Sequence, residues 1–348
     1  MKFVTYLGYA LAGVSLSLLS ASGAATAASP DVNVAPAIAT TATLAQSSQY
    51  DQLIREGYSA LRDGAVDRAL RTFEQAIQLH PDRAAAWTGK GLSLYFMTHF
   101  NAALTALEQA VALDANSFGA WLALANTLDR LDRLEPALAA YETAIALQPN
   151  HVGGHYHRGI ALINAERYAA AAADFQRATE VAPDHVQSWI KLGQVHLYQK
   201  SYGPALVAFD QAIALDETQG RAWQGRGLAL FEQQQYQGAL SAFERTVDLM
   251  PENQWVWLYK GHSLAMLERY EAALAAYDQV IDLDPDWGFA WYRKAVMLAA
   301  LSRYEASAAA VEEALRLEPS LAQAQELKEQ LRRELTRLPH EAEVVAFR

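Results

Sequence analysis

Cysteine is absent from the 348 residues. That excludes disulfides, thiolate zinc sites, cysteine nucleophiles and a lipid-modified N-terminal cysteine. Proline is scarce, at 11 residues, and β-branched residues are few, so the composition leans toward helix. Basic residues are in deficit, 28 against 39 acidic, for a formal net charge of −11. A chain of that sign without a basic patch is not expected to bind nucleic acid. A mean hydropathy of −0.06 excludes a polytopic membrane protein. G-x-S-x-G, Walker A, G-x-G-x-x-G and EF-hand patterns are all missing, so no enzymatic chemistry and no cofactor are expected. What the chain does have is 52% hydrophobic residues in a length beyond one ordinary core, which implies two domains or a repeat array.

Residues 1–27 differ from the rest. Lys2 precedes an apolar stretch, Phe3 to Leu19, and Ala25-Thr26-Ala27 offers a small-residue cleavage site. This is the layout of an export signal and places the mature chain in a periplasm-like space or outside the cell. The alternative is an uncleaved anchor holding the chain at the membrane through residues 3–19, facing out of the cytoplasm. That stretch is short and interrupted by Thr5, Gly8, Gly13, Ser15 and Ser17, against the ~20 apolar residues of a spanning helix. Residues 28–49, rich in Ala, Thr, Ser and Pro, show no period and are expected to form a flexible linker.

From Tyr50 onward a period of 34 holds without insertion to residue 321. Eight units begin at 50, 84, 118, 152, 186, 220, 254 and 288. Position 4 holds Trp87, Trp121, Trp189, Trp223, Trp257 and Trp291, with Leu53 and His155 in the other two units. Position 8 is Gly or Ala, position 20 is Ala (Ser307 in the last unit), and position 24 is mostly aromatic: Phe73, Tyr141, Phe175, Phe209, Phe243 and Tyr277. Proline stands at position 32 in six units. Small residues at 8 and 20 allow two antiparallel helices to approach, and the large residues at 4 and 24 fill the adjacent space. Proline at 32 ends the second helix, whereas Pro136 and Pro204, at position 19, fall in its first turn, where proline is tolerated. A hairpin cannot bury its apolar face alone, so the units must stack.

The pattern resembles the tetratricopeptide repeat. That resemblance implies an all-α, right-handed superhelical solenoid of eight hairpins (50–83, 84–117, 118–151, 152–185, 186–219, 220–253, 254–287 and 288–321). Leu327, Leu331 and Leu335, at i, i+4 spacing in an otherwise polar run, suggest a capping helix over 322–337, followed by a tail at 338–348.

The resemblance also implies a concave groove lined by positions 2, 5, 6, 9, 12 and 13 of each first helix, taking a protein or peptide ligand. The groove candidates are Tyr95, Tyr156, Lys191, Tyr198, Arg221, Phe231, Trp255, Tyr259, His262, Phe289, Tyr292 and Arg293. Aromatics interspersed with cations favour a ligand carrying apolar and acidic residues, met mainly by repeats 5 to 8. The asparagine and lysine pattern by which co-chaperone members grip a C-terminal carboxylate is missing, because no two adjacent repeats carry Asn at position 9. His151, His155 and His157 lie in HVGGHYHRG, but no carboxylate sits in that motif and turn or packing roles explain them better than a metal. The chain therefore reads as a non-catalytic interaction scaffold, with a self-associating architectural protein as the alternative.

Overall fold

A computed structural model describes the backbone of residues 34–346 and the side chains of residues 46–336. The export signal or anchor lies outside the described residues. Seventeen helices and no strands are found among them. The chain divides into two compact units at Pro183/Asp184, in the turn that ends repeat 4. Unit 1 contains α1 (Val34–Arg62), α2 (Val66–Leu79), α3 (Ala84–Phe96), α4 (Phe100–Leu113), α5 (Phe118–Arg130), α6 (Leu134–Leu147), α7 (Val152–Asn164) and α8 (Tyr168–Val181). Unit 2 contains α9 (Val186–Tyr198), α10 (Tyr202–Leu215), α11 (Gly220–Glu232), α12 (Tyr236–Leu249), α13 (Gln254–Met266), α14 (Tyr270–Leu283), α15 (Gly288–Ala300), α16 (Tyr304–Leu317) and α17 (Ala322–Ala346). In each unit consecutive helices pack as hairpins, and the hairpins stack.

The 34-residue frame maps directly onto these elements. After α1, every first helix fills positions 1–13 and every second helix fills positions 17–30. The ring at position 24 explains the small residue at position 8. A Cβ added to Gly193 would stand 2.7 Å from the Phe209 ring, and one added to Gly227 would stand 2.6 Å from Phe243. Phe73, Phe175 and Phe243 are wholly buried in consequence. Each contributes about 2–3 kcal/mol of apolar burial.

The position-4 tryptophans do more than pack. Their indole N–H groups donate to the backbone carbonyl at position 32 of the preceding repeat: Trp87 to Pro81, Trp121 to Ala115, Trp223 to Glu217, Trp257 to Pro251 and Trp291 to Pro285, all within 2.8–3.0 Å. The cap keeps this register, since Gln325 Nε2 donates to the Pro319 carbonyl at 2.7 Å. Ala324 and Leu331 are buried against the last hairpin, and Leu327 packs beside them.

The turn inside each hairpin is set by backbone bonding. In repeat 2 the Thr98 N–H donates to Tyr95 O and the His99 N–H to Leu94 O, and the same pair of bonds recurs in all eight repeats. This is the Schellman arrangement, which places one residue in the left-handed region. Only repeat 1 supplies glycine there (Gly64). The others use Thr98, Asp132, Glu166, Lys200, Gln234, Glu268 and Ser302, with φ between 56° and 63°.

Two sequence expectations need correction. The linker assigned to 28–49 is helical from Val34 onward, continuous with the first repeat helix. Alanine recurs through 35–45, and Pro36 falls in the first turn, where its missing N–H costs nothing. The tail assigned from 338 is also helical, because α17 continues past Pro339 to Ala346 at the cost of one intrahelical bond.

Candidate functional site

Unit 1 holds two of the expected groove residues. Tyr95 packs edge-on to Phe96 and Phe100, with centroids 5.7 and 5.5 Å away. Tyr156 packs edge-on to His157 and to the buried Phe175. Both are half-buried and take part in local packing.

The histidine motif of repeat 4 is also structural. His155 replaces the position-4 tryptophan and takes over its bond, with Nε2 3.1 Å from the Pro149 carbonyl. Its Nδ1 lies 3.4 Å from Asp174, which Arg158 grips with two bonds of 2.7 and 2.6 Å. Burial alone would raise the Asp174 pKa, but hydrogen bonds from Arg158 and then His155 outweigh it and hold the carboxyl below its ordinary value. No group of three or more metal-ligating side chains exists among the described residues.

Unit 2 assembles most of the others into a run of touching rings. Phe231 meets Tyr236 and Tyr259 edge-on at 5.4 and 5.8 Å. Tyr259 stacks on Phe243 and touches His262. His262 then contacts Tyr277 and Phe289. Phe289 touches Tyr292 and Trp287, and Trp287 meets Trp255 at 4.8 Å. Trp255 is 52% exposed at the end of this run. Trp287 escaped the sequence reading because it lies at position 34, in the junction. In three repeats that position meets position 2 of the same repeat: Arg83 pairs with Asp51, Gln219 with Gln187, and Trp287 with Trp255.

Within the run, the His262 Nε2 is buried and has no hydrogen-bond partner among the described residues. Burial, reinforced by the Arg293 charge, pushes the His262 pKa down to about 3, so the ring is neutral at physiological pH. Arg293 is less available than its position suggests. Its guanidinium donates to the Tyr277 hydroxyl at 3.1 Å and lies over that ring.

Lys191 and Tyr198 are joined through Gln194, while Arg221 stands exposed on α11. Lys191 Nζ donates to Gln194 Oε1 at 3.1 Å, and Gln194 Nε2 donates to the Tyr198 hydroxyl at 2.7 Å. Tyr198 is 48% exposed. The position-7 cations, by contrast, serve the stack. Lys90, Arg226, Lys294 and Lys328 pair with Glu74, Asp210, Asp278 and Glu312 of the preceding second helices. Lys90, Arg226, Lys260 and Lys294 also lie over the tryptophan three residues before them. Much of the acidic surplus on the second helices is thus matched locally.

Solved structures share this fold at low identity. The C-terminal part of a TPR repeat-containing protein from Cytophaga hutchinsonii is similar at 15% identity and a TM-score of 0.60, over 69% of this chain and 98% of that one. PilF from Pseudomonas aeruginosa is 20% identical with a TM-score of 0.51, over 58% and 92%. YrrB, a TPR protein with an unusual peptide-binding site, is 21% identical with a TM-score of 0.50, over 55% and 98%. No curated protein matches the sequence. The family model for the tetratricopeptide repeat matches residues 54–97, 88–152, 156–222, 197–255, 225–288 and 258–322. With the family matched across nearly every repeat and each hairpin built in its register, the chain belongs to the tetratricopeptide repeat family.

Proposed function

We propose that this protein is a protein-interaction scaffold that holds a client peptide on the first-helix face of unit 2. A tetratricopeptide array builds a stacked surface and supplies no catalytic group. The observation that carries the reading is the half-exposed Trp255 standing on Trp287 at the end of a continuous aromatic run. Among the described residues, all six large hydrophobics that remain well exposed (Tyr198, Val207, Leu215, Trp255, Met266 and Leu283) belong to unit 2. Exposed aromatic anchors of this kind concentrate binding energy, each costing ~2 kcal/mol or more on truncation. The client combines apolar anchors with carboxylates, which the cations Lys191 and Arg221 complement. The setting is the cell envelope or the exterior, reached through the signal-like residues 1–27, and the client is a component of an exported or envelope assembly.

Crosslinked pull-down from the envelope identifies the client, and titration of the Trp255→Ala chain then tests the face. Binding at least tenfold weaker is expected, and unchanged binding refutes it. The self-association reading rests on Val207, Leu215 and Leu283, exposed on second helices of unit 2. Light scattering separates the two, since a scaffold of the first kind stays monomeric as concentration rises. N-terminal sequencing of the native protein is expected to begin near Ala28, and intact Met1 in the membrane fraction would instead support the anchored form.

A further inference from the structure

In repeat 1 a ring, a cation and a carboxylate meet at positions 1, 34 and 2. The Arg83 guanidinium lies 4.0 Å from the centre of the Tyr50 ring and pairs with Asp51 at 3.1 Å. The same three groups recur around the tryptophans at position 4. Arg226 lies over Trp223 and pairs with Asp210, and Lys294 lies over Trp291 and pairs with Asp278. Repeat 7 instead puts rings at both positions 2 and 34. Trp255 and Trp287 meet at 4.8 Å with their planes 61° apart, and among the described residues no cation lies over either ring. Carboxylates are still at hand. Asp286 is exposed and directly precedes Trp287, and the Glu318 Oε1 accepts from the Phe289 N–H, two residues past Trp287, at 3.2 Å. Neither acid forms an ion pair among the described residues, and Arg316, the cation within electrostatic reach of Asp286, is held by Glu313 at 2.9 Å. Rings and acids are thus present where repeat 1 also supplies the cation.

Resting on the peptide-binding reading above, we infer that the Trp255–Trp287 pair is a seat for a basic side chain of the client, lysine or arginine, with Asp286 as its counter-charge. A cation is attracted to an aromatic face within ~6 Å of the ring centre, and tryptophan is the most favourable ring for that contact. Trp255 is half exposed and leaves ring surface open to such a group. Lysine and arginine also lay their methylene stems along apolar surface while the charged head stays at the water boundary. One side chain therefore serves the rings as an apolar anchor and meets the carboxylate with its head. An exposed ion pair is weak alone, and the ring contact adds to it. The seat gives the client a basic residue beside its apolar and acidic ones, and it excludes an acidic residue from the Trp255 position.

The test uses the full chain labelled with nitrogen-15 at tryptophan, the indole signals of Trp255 and Trp287 being assigned by their replacement with phenylalanine. It is titrated with blocked peptides in a Gly-Ser background that carry one arginine, lysine, citrulline, phenylalanine or glutamate. The arginine and lysine peptides are expected to shift the two indole signals saturably. Citrulline, the neutral isostere of arginine, is expected to bind about fivefold more weakly. Asp286→Lys abolishes the preference for arginine over citrulline and leaves the phenylalanine peptide's affinity unchanged, whereas Asp286→Glu keeps the preference. Citrulline or glutamate binding as tightly as arginine overturns the seat, and so does an arginine preference that survives Asp286→Lys. In either case, shifts caused by the phenylalanine peptide leave the platform and its peptide-binding reading standing. If no peptide moves the two signals, that reading falls and the seat falls with it.

Discussion

Units 1 and 2 are built from the same 34-residue frame, with the same buried rings and the same turn, yet they spend their aromatic residues differently. In unit 1 the rings form local pairs and triplets, such as Tyr58 on Phe73 and Tyr156 on Phe175. In unit 2 they join from Phe231 to Trp255 across three repeats and emerge at the surface. Unit 1 instead concentrates its unusual chemistry inside, in the His155–Asp174–Arg158 group. The comparison separates two layers of information. Positions 4, 8, 20, 24 and 32 specify the stack, whereas positions 2, 9, 12 and 34 are free to differ and distinguish one repeat from the next.

If that separation holds, equivalent core truncations are interchangeable. Phe73→Ala in unit 1 and Phe243→Ala in unit 2, both removing wholly buried rings against a position-8 glycine, are expected to cost about 3–5 kcal/mol each in urea unfolding. A large inequality would show that the units are not equivalent at their cores. Asp174→Asn breaks the comparison on the other side. It leaves Arg158 half-buried without its counter-charge, and a loss of about 3 kcal/mol is expected from unit 1 alone. A change within about 0.5 kcal/mol, the ordinary range for surface substitutions, would mean that Arg158 finds solvent instead.

The third prediction concerns acid. His262 is neutral in the folded state down to about pH 3, whereas in the unfolded chain it takes up a proton near its ordinary value of 6.5. The unfolded state therefore binds the extra proton, and unit 2 loses stability as pH falls below 6.5, by up to ~1.4 kcal/mol per pH unit until about pH 3. Above 6.5 the ring is neutral in both states and contributes no slope. His262→Phe should flatten this part of the thermal stability curve, and an unchanged slope would assign the acid sensitivity to other groups.

The stack was legible in the sequence because a repeat reports each packing constraint eight times. Gly193 and Phe209 are ambiguous alone, but their equivalents at positions 8 and 24 recur in frame. The left-handed turn was hidden for the opposite reason. Gly64 is its only glycine, and the remaining seven turns hold their conformation through backbone bonds that leave no residue signature. Asp174 was missed as the partner of His155 because 19 residues separate them, although α7 and α8 bring them together. In the candidate site, Trp255 and Phe289 stood out at position 2, where the frame requires no aromatic. Trp287 did not, since position 34 lies in the junction between hairpins and outside the first-helix positions read as groove-lining. The helix before Tyr50 was obscured by Thr, Ser and Pro, which read as linker although alanine alternates with them.

The indole-to-carbonyl bond at the repeat junctions has a mechanical consequence. Each bond ties a first helix to the turn that precedes it, so a load applied along the chain meets one such link wherever one hairpin gives way to the next within a unit. Releasing one link and its hairpin frees 34 residues, about 120 Å of extended chain, while the neighbouring hairpins keep their own ties. The protein yields in discrete, nearly equal lengths, as an extensible strap does. The imidazole of His155 and the amide of Gln325 take the place of the indole at two of these links, and they are where the strap departs from uniformity.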